Sequence, residues 1–295
     1  MDRPDAEERG EHRMTAPAPA PPSTPAPGPV RSGLSPRRRR TLLRGTQYLV
    51  LVAALALLGG FADWTVLRQQ FLNWSVARQM FPDVITTALV NTVVYTLSGF
   101  AAGLVLGLVV ALMRLSSVGP YRWLAGAYVE VFRGLPALLI FIFVGVGIPL
   151  AFPGVVFPGG TVGQVTVAIG LVSAAYMAET IRAGLQAVPP GQMEAARTLG
   201  MSHGMAMRSI VIPQAFRIIV PPLTNELVLL FKDSSLVLFL GVTMQERELT
   251  KFGRDLASQT ANITPIFVAG LCYLLITIPL GYLVRRLEAR HSKAR

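Results

Sequence analysis

Glu179, Arg182, Asn225, Glu226, Lys232 and Asp233 stand inside long apolar stretches of this 295-residue chain. Ionisable groups are costly at membrane depth, where they face a cavity, a partner or one another. Glu179 and Arg182 are three residues apart, so on a helix they share a face and pair. That spacing reads first as structural. Glu226 and Lys232 are six apart and do not share a face. Lys232 and Asp233 are adjacent and point about 100° apart. Asn225, Glu226 and Lys232 are therefore candidates to line a path for a polar solute. The ammonium of Lys232 would meet a carboxylate, and the carboxylate of Glu226 an ammonium. Polar packing within the protein is the competing reading.

Other chemistry is missing. The chain has no G-x-x-x-x-G-K-[ST] or H-E-x-x-H pattern. Its one cysteine, Cys272, lies in an apolar run, and no two of its three histidines share a motif. No disulfide framework or Cys/His metal spacing follows. The expectation is a chain with no catalytic residue, no metal and no cofactor of its own.

The elements that must position those polar groups are membrane helices. Hydrophobic residues make up 52% of the chain and charged residues only 15%, well below the quarter or so usual in soluble domains. Apolar runs cover 46–62, 84–113, 135–152, 162–181, 210–240 and 264–284. They predict an all-α integral membrane protein with about six spans. The fifth run contains Pro213, Pro221 and Pro222 and is expected to be irregular. Residues 1–36 are rich in Pro and Ala and cannot build a core. With the arginines that follow, they predict a disordered tail over 1–45. Arg37–Arg40 before an apolar run also resemble a signal peptide, but a 17-residue run is longer than most signal cores and further spans follow it.

Net charge is +11, which in a soluble chain would suggest nucleic acid. The positions say otherwise. With the N-terminus inside, the inner segments from residue 31 onward hold 18 basic residues, among them Arg37–Arg40, Arg114, Arg122, Arg133, Arg182, Arg197, Arg208, Arg217, Arg285 and Arg286. The outer ones hold five: Arg68, Arg78, Arg247, Lys251 and Arg254. The positive-inside rule then puts both termini in the cytoplasm, with the basic loops against anionic lipid and no nucleic acid needed. The outer segment 241–263 sums to zero charge and is expected to be a solvated loop, with docking of a partner as the alternative. Gly99, Gly103 and Gly107 form a small-xxx-small pattern suited to close helix approach, within the chain or between subunits.

One inner segment, 188–213, is polar and compact. Pro189-Pro190-Gly191 turns the chain, and Gln192 to Leu199 reads as a short helix with Glu194 in its first turn. Gly200 has the place of a C′ residue. A second helical piece follows from Ser202, and Pro213 ends or kinks it. Ala195 and Ala196 narrow one face, which suits a groove on a partner.

The stretch "EAARTLGMSHGMAMRSIVIP" resembles the EAA loop of bacterial ABC-transporter permeases. Glu194-Ala195-Ala196, Gly200, Ile210 and Pro213 fall in register, and Ile212 replaces the usual Leu. "VFRGLPALLIF", "YMAETIRAGLQAVPPGQMEAA" and "IPQAFRIIVPPLTNELVLLFKDSSL" extend the resemblance to the polar amino-acid branch, over about 84–286. The resemblance implies a five-span type I importer core plus one extra span at 46–62, and a basic tail over 287–295. It implies a second permease subunit, identical or sister, and an extracellular binding protein. A cytoplasmic ATPase dimer would bind ATP and Mg. Glu194, Ala195, Ala196, Leu199, Gly200, Ile210 and Pro213 would couple to it. An ion-gradient transporter is the competing class. It predicts matched discontinuous helices in two halves, and no counterpart of the Pro-rich span is found in the first half.

Overall fold

The computed structural model describes residues 36–292. The chain divides into two units, Met1–Ala62 and Asp63–Arg295. The described part of the first is one helix, α1 (Pro36–Phe61). The tail expected over 1–45 lies outside the described residues as far as 35. From 36 onward the expectation is corrected, because α1 runs straight through 36–45. Arg and Leu are good helix formers, and Pro is at home in a first turn.

The second unit opens with α2 (Trp64–Phe71) and α3 (Trp74–Gln79), whose first turns are capped by the side chains of Asp63 and Asn73. A π-helical turn, Val84–Leu89, leads into α4 (Val90–Leu115). α5 (Gly119–Gly134) is followed by α6 (Ala137–Ile142), a π-helical stretch Phe143–Gly147 and α7 (Ile148–Ala151). Then come α8 (Thr161–Gln186), α9 (Pro190–Thr198) and α10 (His203–Ala206). A π-helical turn, Met207–Val211, joins α10 to α11 (Ile212–Asp233). A 3-10 stretch, Ser234–Leu240, follows α11, and α12 (Leu249–Thr260) and α13 (Thr264–Ser292) complete the fold. Residues 293–295 of the expected basic tail lie outside the described residues.

Four described helices are long and apolar enough to cross a membrane: Leu43–Phe61, Val84–Leu115, Thr161–Gln186 and Thr264–Ala289. The pair Gly119–Gly134 and Ala137–Ala151, bent by 104°, is long and apolar enough for a fifth when the two are taken together. This corrects the expected plain span over 135–152. Fifteen residues reach about 22 Å, short of a ~30 Å hydrocarbon core, so the stretch needs α5 to complete a crossing. Pro136 sits at the bend, where it favours an extended Leu135. The other correction is in the fifth run. Pro221 and Pro222 lie inside α11, which continues unbroken to Asp233. Pro213 does not end the preceding piece either. It occupies the first turn of α11, directly after the π-helical turn.

The core is the packing of α4 on α8. A Cβ at Gly99 would meet Ile169, one at Gly103 would fall 2.0 Å from Ser173 Oγ, and one at Gly107 would lie 3.0 Å from Met177 Cβ. The glycine stripe therefore serves contact within the chain. Because the contacts advance together along both helices, α4 and α8 run parallel. α11 crosses α8 near the end of both, where Ile219 fills the space over Gly184. Leu115 and Gln186 thus share one end with α9, the α9 end. Val84 and Thr161 lie at the other with α12, the α12 end.

At the α12 end the expected solvated loop is instead a folded cover. Asn91 Nδ2 donates to the carbonyls of Gln245 and Arg247, and the Tyr95 hydroxyl donates to the carbonyl of Glu246 at 2.8 Å. Thr161 donates to the Glu246 carboxylate at 2.6 Å. Leu249 and Phe252 of α12 pack with Met80, Val84, Ala269 and Cys272. Glu248, 0% exposed, caps α12 by accepting from the backbone N–H groups of Thr250 and Lys251, and it accepts the Tyr273 hydroxyl at 2.7 Å. Burial pushes the Glu248 carboxyl up to about 7, against the downward pull of these hydrogen bonds. A folded-state value above the unfolded one of about 4.3 means that the folded chain holds the proton more tightly. Its contribution, of order 3 kcal/mol, is full below about pH 4 and is lost as pH rises through 7. Thermal melting across that window should fall more steeply for the wild type than for Glu248→Gln. Parallel curves would refute the assignment.

Candidate functional site

α9 stands at the end of the spans because its termini are sharply defined. Pro190 starts it within the first turn. At its end Gly200 has φ +83°, its N–H donates to the carbonyl of Arg197, and the N–H of Met201 donates to the carbonyl of Ala196. That pair of bonds is a Schellman cap, which needs a left-handed residue and so favours Gly. Ser202 restarts the helix by accepting from the N–H of Met205. Gln214 Nε2 donates to Gln192 Oε1 at 3.2 Å and ties α9 to the first turn of α11.

The seven residues expected to couple to a partner divide into two sets. Glu194, Ala195, Leu199, Gly200 and Pro213 are exposed, and Leu199 is 83% exposed. Ala196 is 1% exposed and Ile210 is half-buried. Those two pack against the rest of the chain, Ala196 fully and Ile210 in part. Sequence reasoning missed Met205, 56% exposed, a second apolar knob on α10. An exposed Met beside an exposed Leu is the kind of apolar spot that marks an interaction surface.

The polar residues in the spans also divide. Glu179 accepts from Arg182, from both Nε at 3.0 Å and Nη2, and from Arg114 Nη1 at 3.1 Å. Arg182 also donates to Gln186. Glu179 and Arg182 thus form a neutralising knot between α4 and α8. Its third member, Arg114, is 65 residues away in sequence and was invisible to helical spacing. Asn225 and Lys232 are exposed, seven residues apart on α11, and share a stripe with Pro222 and Leu229. Glu226 and Asp233 are half-buried on the adjacent face, also seven apart. The structure does not bring Glu226 and Lys232 onto one face.

A bundle of apolar helices with a sharply bent helix pair, a capped stub at one end and a folded cover at the other is the build of a membrane transport subunit. The chain belongs to the family of binding-protein-dependent transport system inner membrane components, whose family model matches residues 103–293. It is 41% identical over 207 residues to a probable glutamine ABC transporter permease protein of Bacillus subtilis (strain 168), covering 69% of this chain and 91% of that protein. It is 34% identical over 261 residues to an arginine transport system permease protein of Corynebacterium glutamicum, covering 85% and 82%. Among solved structures, an amino acid ABC transporter with histidines matches with a TM-score of 0.66 at 34% identity, covering 74% of this chain and 98% of that one.

Proposed function

We propose that the chain is one of two membrane-spanning subunits, paired with itself or with a sister chain, of an ATP-driven importer for a polar amino acid. The substrate is of the glutamine, glutamate or basic type, and the membrane is the bacterial cytoplasmic one. The observation that carries this reading is α9, a rigidly capped and outward-facing stub on the arginine-rich end of the spans. The charge bias assigns that end and both termini to the cytoplasm. There a dimer of ATPase subunits, which holds the ATP and Mg, takes up Ala195 and Leu199 in a groove. The α12 end faces outward, where a binding protein delivers substrate. Relatives named for glutamine, arginine and glutamate/aspartate support the substrate class.

The test is uptake of labelled glutamine, glutamate and arginine into proteoliposomes carrying the permease, its ATPase and its binding protein. Uptake of at least one should require ATP. Uptake driven by a sodium or proton gradient without the ATPase would overturn the reading. In the same assay Lys232→Ala and Glu226→Gln should each lower uptake about tenfold or more, the loss of one charged hydrogen bond to a substrate. Unchanged uptake in both variants would remove Lys232 and Glu226 from the path.

A further inference from the structure

Two of the chain's three tryptophans, Trp64 on α2 and Trp74 on α3, are 67% and 78% exposed. Between them lies an open groove of about 660 Å³, lined by both rings and by Thr65, Arg68, Gln69 and Leu72. Positions 64, 65, 68, 69 and 72 recur at helical spacing and form one face. Asn73 also lines the groove, but its side chain is spent on capping α3.

Hydrogen bonds fix the depth of this groove. The Asn262 amide donates to the carbonyl of Gln69 at 2.8 Å. The Thr264 hydroxyl donates to the carbonyl of Gln70 at 3.1 Å and accepts from the N–H of Asn73 at 3.0 Å. Thr264 is the first residue of one apolar span, and Val84 is the first of another. The Val84 N–H donates to the carbonyl of Met80, directly after α3. Val76 and Ala77 turn inward, and Met80 packs with Val84, Leu249 and Ala269. At eight and six residues, α2 and α3 are too short to cross a membrane. The groove therefore sits where the spans enter the bilayer at the α12 end, the level of lipid headgroups. Tryptophan collects at that level because its ring is apolar and its N–H is polar.

The charge in the groove is simple. Arg68 is exposed, and its guanidinium makes no ion pair or hydrogen bond with the described residues. Among the described residues it is the only ionisable group that lines the groove. Asp63, next in sequence to Trp64, already accepts from the backbone N–H groups of Thr65 and Val66. A basic side chain at headgroup level attracts anionic lipid.

From this depth and this charge we infer that the groove binds the head of an anionic phospholipid of the phosphatidylglycerol kind. Arg68 pairs with the phosphodiester, and Thr65 and Gln69 hydrogen-bond the hydroxyls of the head. Trp64, Leu72 and Trp74 cover the glycerol and the first methylenes of the chains. A zwitterionic head would bring its ammonium to a groove lined by no carboxylate. The orientation proposed above makes this the outer leaflet. The inference rests on the chain spanning a membrane and not on which solute it carries.

The experiment uses the complete complex, purified in detergent and titrated with phosphatidylglycerol or phosphatidylethanolamine. Bound lipid is counted by native mass spectrometry for the wild type, Arg68→Gln, Arg68→Lys and Trp74→Leu. The control is Arg254→Gln, at an exposed arginine of α12 at the same end. The wild type should bind phosphatidylglycerol at least about tenfold more tightly than phosphatidylethanolamine. Arg68→Gln and Trp74→Leu should each weaken phosphatidylglycerol binding about tenfold or more, the loss of a charge-assisted hydrogen bond or of a buried ring face. Arg68→Lys should keep part of the affinity, and Arg254→Gln all of it. Arg68 holds nothing within the chain, so its variants should melt with the wild type. Equal losses in Arg68→Gln and Arg254→Gln would mean attraction by surface charge alone, and that outcome overturns the inference. So does equal affinity of the wild type for the two lipids, or wild-type affinity in both Arg68→Gln and Trp74→Leu. Soluble glycerophosphoglycerol is the last arm. Competition by it as strong as by the whole lipid would assign the groove to a free phosphodiester and overturn the membrane assignment. Lipid counting needs no transport, so its outcome is separate from that of the uptake assay.

Discussion

Leu199→Asp should leave the permease folded and membrane-inserted but unable to hold its ATPase. The side chain is 83% exposed, so its replacement removes no contact within the chain. At an interface, a buried apolar knob of this kind belongs to the small set of residues that carry most of the affinity. Placing a carboxylate in its groove adds the cost of an unpaired charge. Association should weaken about a hundredfold, or roughly 3 kcal/mol. The measurement is co-purification of the two subunits, with the thermal melt of the permease alone as the control. Gly200→Pro should act differently, because it breaks the cap at φ +83° and the N–H donation to the carbonyl of Arg197. It should lower both association and the local stability of α9. Normal co-purification and transport in both variants would remove α9 as the joint.

Gly103→Leu should abolish folding. Even a Cβ there would fall 2.0 Å from Ser173 Oγ and 3.4 Å from the backbone nitrogen of Ala174, so a larger group must push α4 off α8. The helices meet along several turns, and no single side chain can yield enough to spare the rest. The cost should exceed about 3 kcal/mol, the upper part of the overpacking range. The matching control is Gly126→Ala on α5, where a Cβ meets nothing within 4 Å. That change should be neutral or stabilising by up to about 1 kcal/mol, the helix preference of Ala over Gly. Yield and melting temperature in detergent check both. Equal behaviour of the two variants would mean that the α4–α8 seam does not hold the fold.

The EAA register, the helix stop at Gly200 and the small-xxx-small stripe could be read because each is a local pattern with one physical cause. What could not be read is long-range or compensated. Pro221 and Pro222 remove two N–H donors but do not break α11, because membrane helices tolerate proline where neighbouring groups satisfy the freed carbonyls. The bend between α5 and α6 lay hidden because an uncharged run looks the same straight or folded. The folding of 241–263 depends on Asn91, Tyr95 and Thr161, more than eighty residues upstream. Charge sums within a loop carry no trace of such partners. In the proposed site, burial separates Ala196 and Ile210 from the exposed members, although all seven belong to one motif.

From His203 to Asp233 the backbone is helical without interruption, through α10, the π-helical turn and α11. Thirty-one residues make a rod about 46 Å long, and Gln192 of α9 grips it at Gln214, five residues before Ile219. Asn225 and Lys232 ride near the other end. Such a rod is a lever arm with its fulcrum where Ile219 crosses Gly184. A small tilt imposed at α9 would be delivered at Lys232 as a larger sweep in the opposite direction, with no chain of side-chain rearrangements in between.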